Sequence, residues 1–139
     1  MRLASAALLL LAAPLAAQEH SLEARRLVLD ASRALQADAP ARFLGYFDKR
    51  ATPHFGELRQ NLLALLATKT VASSVQIDKT TVEGGEASLS VDWLLQLTPI
   101  DGIGAVEQRH EVVQVRVRLG EKPMIVSLTP IELFRPAQN

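Results

Sequence analysis

The sequence predicts an α+β fold in which helices precede an antiparallel meander, and three observations carry the prediction. Apolar residues keep helical spacing up to Leu66, whereas from Val71 to Phe134 the chain reads as four successive strands. Within those strands apolar and polar residues alternate, as they must where one face is buried and the other is wet. Turn-forming residues separate the runs at distances too short for parallel returns. The chain has 139 residues, 48% hydrophobic and 22% charged, the balance of one globular domain rather than a disordered or fibrous chain.

The first element reads as an export leader. Met1-Arg2, an Ala/Leu run to Leu11 and Ala12-Ala13-Pro14-Leu15-Ala16-Ala17 have the layout of a secretory signal cleaved after Ala17. Residues 1–17 are therefore expected to leave, and residues 18–139 to form one domain in the periplasm or outside the cell of a bacterium. An uncleaved N-terminal anchor is the alternative. The apolar run is shorter than the roughly 20 residues of a membrane-spanning helix, so no membrane contact is expected after cleavage.

Ser21 is the expected N-cap of a helix to about Asp38, with Leu27, Val28, Ala31, Ala34 and Leu35 on its buried face. Arg25, Arg26, Asp30 and Arg33 would face water. Ala39-Pro40 breaks that helix, because the residue before Pro avoids helical geometry while Pro itself suits a first turn. A short helix from Pro40 to Phe47 follows, rich in Phe43, Leu44, Tyr46 and Phe47. A third runs from about Pro53 to Thr68 with Phe55, Leu58, Leu62, Leu63, Leu65 and Leu66 as its apolar stripe.

The strands come next. Ala87, Leu89, Val91, Trp93, Leu95 and Leu97 share one face, opposed by Ser88, Ser90, Asp92 and Gln96. Val113, Val115, Val117 and Leu119 repeat the pattern against Gln114, Arg116 and Arg118, with β-branched residues suited to such a surface. Glu83-Gly84-Gly85-Glu86, Pro99 to Gly104 and Gly120 to Pro123 supply the turns.

A long helix, the break at Asp38-Ala39-Pro40, an aromatic short helix and Phe55-Gly56-Glu57-Leu58 lead into a meander holding Val91-Asp92-Trp93-Leu94-Leu95-Gln96-Leu97. With the ending Ile125-Val126-Ser127-Leu128-Thr129-Pro130, this order resembles the NTF2-like (SnoaL-like) superfamily over nearly all of the mature chain. The resemblance implies helices packed in the concave face of a curved sheet, a cone that often encloses a cavity and often dimerises. It does not select an activity, because the superfamily includes isomerases, hydrolases, binding proteins and transport adaptors.

Alternation continued backward from Val113 puts Glu111 and Arg109 on the inner face, near the mouth of the cone. With Tyr46, Phe47 and Trp93 they form the candidate ligand site, in which Arg109 offers a forked donor to a carboxylate or amide. In an enzyme of the isomerase or hydrolase kind, Glu111 would be the base, Arg109 the anion stabiliser and Tyr46 the hydrogen-bond donor. The plainer reading makes Arg109 and Glu111 solvated strand ends, worth about 0–1 kcal/mol as an ion pair, and makes Trp93 a core wall. Of the acid/base set that the resemblance implies, only Tyr46 and Glu111 match, so no catalytic residue is assigned.

Other chemistry lacks support. Without cysteine the chain forms no disulfide, thiolate nucleophile, zinc–thiolate site or lipid-bearing cysteine. His20, His54 and His110 have no metal-ligand spacing, and Gly102-Ile103-Gly104 lacks the strand, helix and third glycine of a dinucleotide site. No cofactor or metal is expected. Basic and acidic residues number 15 each, and loss of Arg2 leaves one net negative charge, which disfavours nucleic acid as a partner. The expected partners are a small apolar or carboxylate-bearing ligand and a second copy of the chain. The homodimer would form through the outer sheet face bearing Leu94 and Val112, where His110 could make association pH-dependent. The leading expectation is an exported ligand-binding or accessory interaction module; an isomerase or hydrolase, and a homodimeric scaffold with a filled interior, are the alternatives.

Overall fold

The structure, a computed structural model, describes the backbone of residues 2–137 and the side chains of residues 15–137. Most of the expected leader therefore lies outside the described side chains. Three helices, α1 (Arg2–Gln36), α2 (Pro40–Gly45) and α3 (Phe55–Thr68), precede four strands, β1 (Lys69–Glu83), β2 (Glu86–Pro99), β3 (Glu107–Arg118) and β4 (Met124–Thr129). The strands pair antiparallel in the order β1-β2-β3-β4, so the α+β meander is present and its curved sheet packs against the helices as a cone.

Four boundaries differ from expectation. Ser21 is not a cap but an interior residue of α1, because the helix-favouring Ala/Leu segment before it propagates without a break. The helix ends where Asp38 turns left-handed at φ 55°, and the Ala39 amide bonds back to the Ala34 carbonyl. α2 is shorter than expected and ends at Gly45, while α3 starts at Phe55 behind His54, whose φ of 57° interrupts the helical path. The last strand stops at Thr129, since Pro130 carries no N–H for the ladder, and Ile131–Phe134 coil into a 3-10 turn. That turn drives Ile131, Leu133 and Phe134 into the core.

The inner sheet face is apolar as its alternation requires. Ala87, Leu89, Val91, Trp93, Leu95 and Leu97 are all buried, as are Val113, Val115 and Val117. They meet Val28, Ala31 and Leu35 of α1 and Leu58, Leu62 and Leu65 of α3 in one core. Leu63 instead faces outward. A bulge at Asp78 shifts the register of β1 between Ile77 and Lys79, so that odd residues point inward before it and Thr80 and Val82 point inward after it.

α1 runs alongside β1. Ser32 and Gln36 meet Ser73, and Ser21 and Arg25 stand beside Thr80 and Val82. At the first junction Ser32 and Ser73 hydroxyls lie 2.8 Å apart, and the Trp93 indole N–H donates to Ser73 Oγ at 2.9 Å. A polar chain thus ties α1, β1 and β2 together inside an otherwise apolar wall.

Candidate functional site

Inward parity places Arg109 as the sequence suggests, but its surroundings assign it a structural task. The residue is only 6% exposed. Its Nε donates to Glu107 Oε2 at 2.7 Å, Nη1 to the carbonyls of Leu133 (3.0 Å) and Arg135, and Nη2 to that of Pro136 (3.4 Å). Four of the five guanidinium N–H groups are thereby engaged, leaving no free fork for a ligand carboxylate. The same contact holds the Glu107 carboxyl below its ordinary range, the Arg109 hydrogen bond outweighing partial burial.

The remaining members of the expected site are separated by aromatic packing. Trp93 meets the Phe134 ring edge-on, with centroids 5.5 Å apart, and Phe134 in turn packs on Phe43 at 5.4 Å. Phe47 contacts Phe43 and Phe55. Each such pair is worth about 0.5–1.5 kcal/mol beyond area burial. Tyr46 is half-buried against this core, whereas Glu111, register partner of Trp93, is exposed. Among the described residues no hydrogen bond joins Tyr46 to Glu111, and no described cleft is lined by Tyr46, Phe47, Trp93, Arg109 or Glu111. The structure thus does not bring these five residues together around one described cleft, and Phe134, delivered by the 3-10 turn, packs beside Trp93.

Open space lies elsewhere. A groove of about 460 Å³ separates α1 from the far end of β1, lined by Ala17, Gln18, Ser21, Leu22 and Arg25 on the helix and by Thr80 and Val82 on the strand. Of its helical residues Ser21 is half-buried, and Ala17, Gln18, Leu22 and Arg25 are exposed. Thr80 Oγ1 is buried there without a hydrogen-bond partner, and Leu22 is 60% exposed. Sequence reasoning missed this site for two reasons: the Asp78 bulge reverses parity before Thr80, and the two walls are far apart along the chain. Only Ser21, seven residues before Val28, continues the spacing of the buried stripe, whereas Leu22 and Arg25 lie on exposed positions of the helix.

On the outer face Leu94 and Val112 are 39% and 54% exposed, and His110 contacts Asp92 beside them. At the sheet's other end Arg118 bonds Asp48 at 2.8 Å, which with the Ala51 and Arg50 amides keeps that carboxyl below its ordinary range. Among the described residues no group of three His, Cys, Asp or Glu side chains could hold a metal ion, and no helix is long and apolar enough to cross a membrane.

No protein-family model matches the sequence, and no curated protein matches it. Solved structures do match in shape. A conserved protein from Planctomyces limnophilus superposes with a TM-score of 0.63 at 13% identity, covering 77% of this chain and 91% of its own. A beta subunit assigned to an aromatic-ring-hydroxylating dioxygenase of Novosphingobium aromaticivorans gives 0.63 at 14% identity, covering 88% and 92%. A protein assigned as an aromatic ring hydroxylase from the same organism gives 0.62 at 15%, covering 79% and 86%.

Proposed function

Because the chain has the NTF2-like (SnoaL-like) fold, we propose that it is an exported binding or accessory interaction module, without catalysis of its own, whose interior is structural and whose ligand contacts lie at the surface. One observation carries this reading: Phe134 fills the space beside Trp93, and Arg109 is committed to the backbone that holds Phe134 in place. A base and a donor must converge on one substrate for acid/base catalysis, and the exposed Glu111 shares no cleft with Tyr46. The groove beside α1 supports the small-ligand part, since its size lies within the roughly 300–1,000 Å³ of small-molecule sites. The Ala/Leu leader supports export.

Native mass spectrometry of the exported protein tests both parts. The expected result is a chain beginning at Gln18 that carries a small molecule released on denaturation. A chain beginning at Met1 would refute processing, and a ligand-free spectrum under gentle conditions would count against the ligand reading.

The exposed Leu94 and Val112 favour a second reading, a homodimer through the outer sheet face. Sedimentation should show concentration-dependent pairing that Leu94→Asp abolishes. A variant that pairs as well as the parent excludes that face.

A further inference from the structure

We propose that the groove between α1 and β1 holds a free monocarboxylic acid with an apolar body. Arg25 and the Thr80 hydroxyl would take the carboxylate, and the body would lie against Leu22 and Val82. This rests on the small-ligand reading above and names the ligand class of its site.

The lining separates into two kinds of surface. Leu22 and Val82, which remain after removal of residues 1–17, offer apolar contact, and Leu22 is largely uncovered in the free protein. Gln18, Ser21, Arg25 and Thr80 offer polar contact, with Arg25 the one charged side chain among them. No carboxylate lines the groove, so an anion entering it meets no like charge at the wall. Among the described residues Arg25 makes no ion pair or side-chain hydrogen bond, unlike Arg33, Arg109, Arg116, Arg118 and Arg135, which all do. An unpaired guanidinium at the edge of a half-apolar cleft suits a carboxylate, which it can grip with two parallel N–H bonds.

Thr80 supplies the second, independent observation. Its hydroxyl oxygen is buried with no partner, although buried hydroxyls are nearly always bonded. In this proposal Thr80 changes to another staggered χ1 rotamer on binding, which carries its O–H from the buried side to a ligand carboxylate oxygen and satisfies both. The Asp78 bulge is what turns Thr80 inward at this level.

The test compares decanoate with decan-1-ol by titration calorimetry on the full chain as its host exports it. The two probes share an apolar body and differ in the headgroup. Decanoate should bind saturably and about tenfold or more tighter than decan-1-ol, as loss of a charge-assisted bond implies. Arg25→Gln should erase that difference, whereas Arg42→Gln, away from the groove, should keep it. Thr80→Val should weaken decanoate binding while raising the melting temperature of the ligand-free protein, a combination that simple loss of folding does not produce. Equal binding of both probes, unaltered by Arg25→Gln, would overturn the acid assignment and leave ligand binding standing. Saturable binding of neither probe would overturn this assignment together with the small-ligand reading of the groove.

Discussion

Replacing Arg109 with Met removes a buried charge that does not face a ligand, so its cost should appear in stability. Four hydrogen bonds are lost, but they differ in weight. The carbonyls of Arg135 and Pro136 belong to exposed residues and regain water when the guanidinium goes. The Glu107 pair is half-open to solvent and contributes about 0–1 kcal/mol. The Leu133 carbonyl is buried, and leaving it without a donor costs about 1–3 kcal/mol. Met also avoids desolvating a cation, which offsets part of the loss, and the net expectation is about 2–3 kcal/mol. For a domain of this size that lowers the melting temperature by roughly 8–12 °C. The only tryptophan, Trp93, rests on Phe134 within the affected segment, so its fluorescence during thermal and urea unfolding is the appropriate assay. Arg109→Lys should recover little, because one ammonium cannot reach four acceptors in a fixed fork. A fall below about 2 °C for Met, or full recovery with Lys, would refute the assignment of Arg109 as the clamp on the C-terminal segment.

Glu107→Gln addresses the acid limb. The folded carboxyl titrates below its ordinary value near 4.5, so its contribution is complete above about pH 4.5 and is lost as the pH falls through the folded value. The variant should lose stability less steeply below pH 4.5, and an unchanged slope in acid urea titrations would contradict the pairing. Ser73→Ala removes the shared partner of Trp93 and Ser32 and should cost about 1–3 kcal/mol in urea unfolding. A neutral result would mean that this polar chain does not hold α1 to the sheet. Phe134→Ala should cost about 3–5 kcal/mol and leave a void beside Trp93 that takes up benzene. Failure of benzene to raise the variant's melting temperature would show that the interior collapses instead.

Period-two alternation was enough to place the inner face of β2 and β3, because both strands are regular and each inward residue meets the same core. Arg109 shows where that reasoning stops. Parity put its side chain inside, but the carbonyls that capture it lie more than twenty residues away on a turn that reads locally as more strand. The place of Phe134 beside Trp93 was out of reach for the same reason: it enters the core where the chain turns after Pro130 ends β4. Ser21 was misjudged differently, since a good cap residue caps only where the chain leaves the helix. Thr80 was hidden by one extra residue, as a bulge has no composition of its own and alternation counted across it reverses.

That extra residue also bears on how the protein behaves in a crowded compartment. β1 is an edge strand of 15 residues, long enough to recruit a second chain through its open hydrogen-bonding side. Asp78 interrupts the ladder midway and, with Lys79, leaves charge at the interruption, while Gln36 already occupies the Ser73 amide. A strand from another molecule would have to match the irregular register and displace Gln36 to add itself to this edge. Deleting Asp78 would straighten the template while leaving Lys79 opposite Ser90 and Thr80 opposite Leu89, so this one residue costs the sheet no inward contact and guards its edge against cross-β growth.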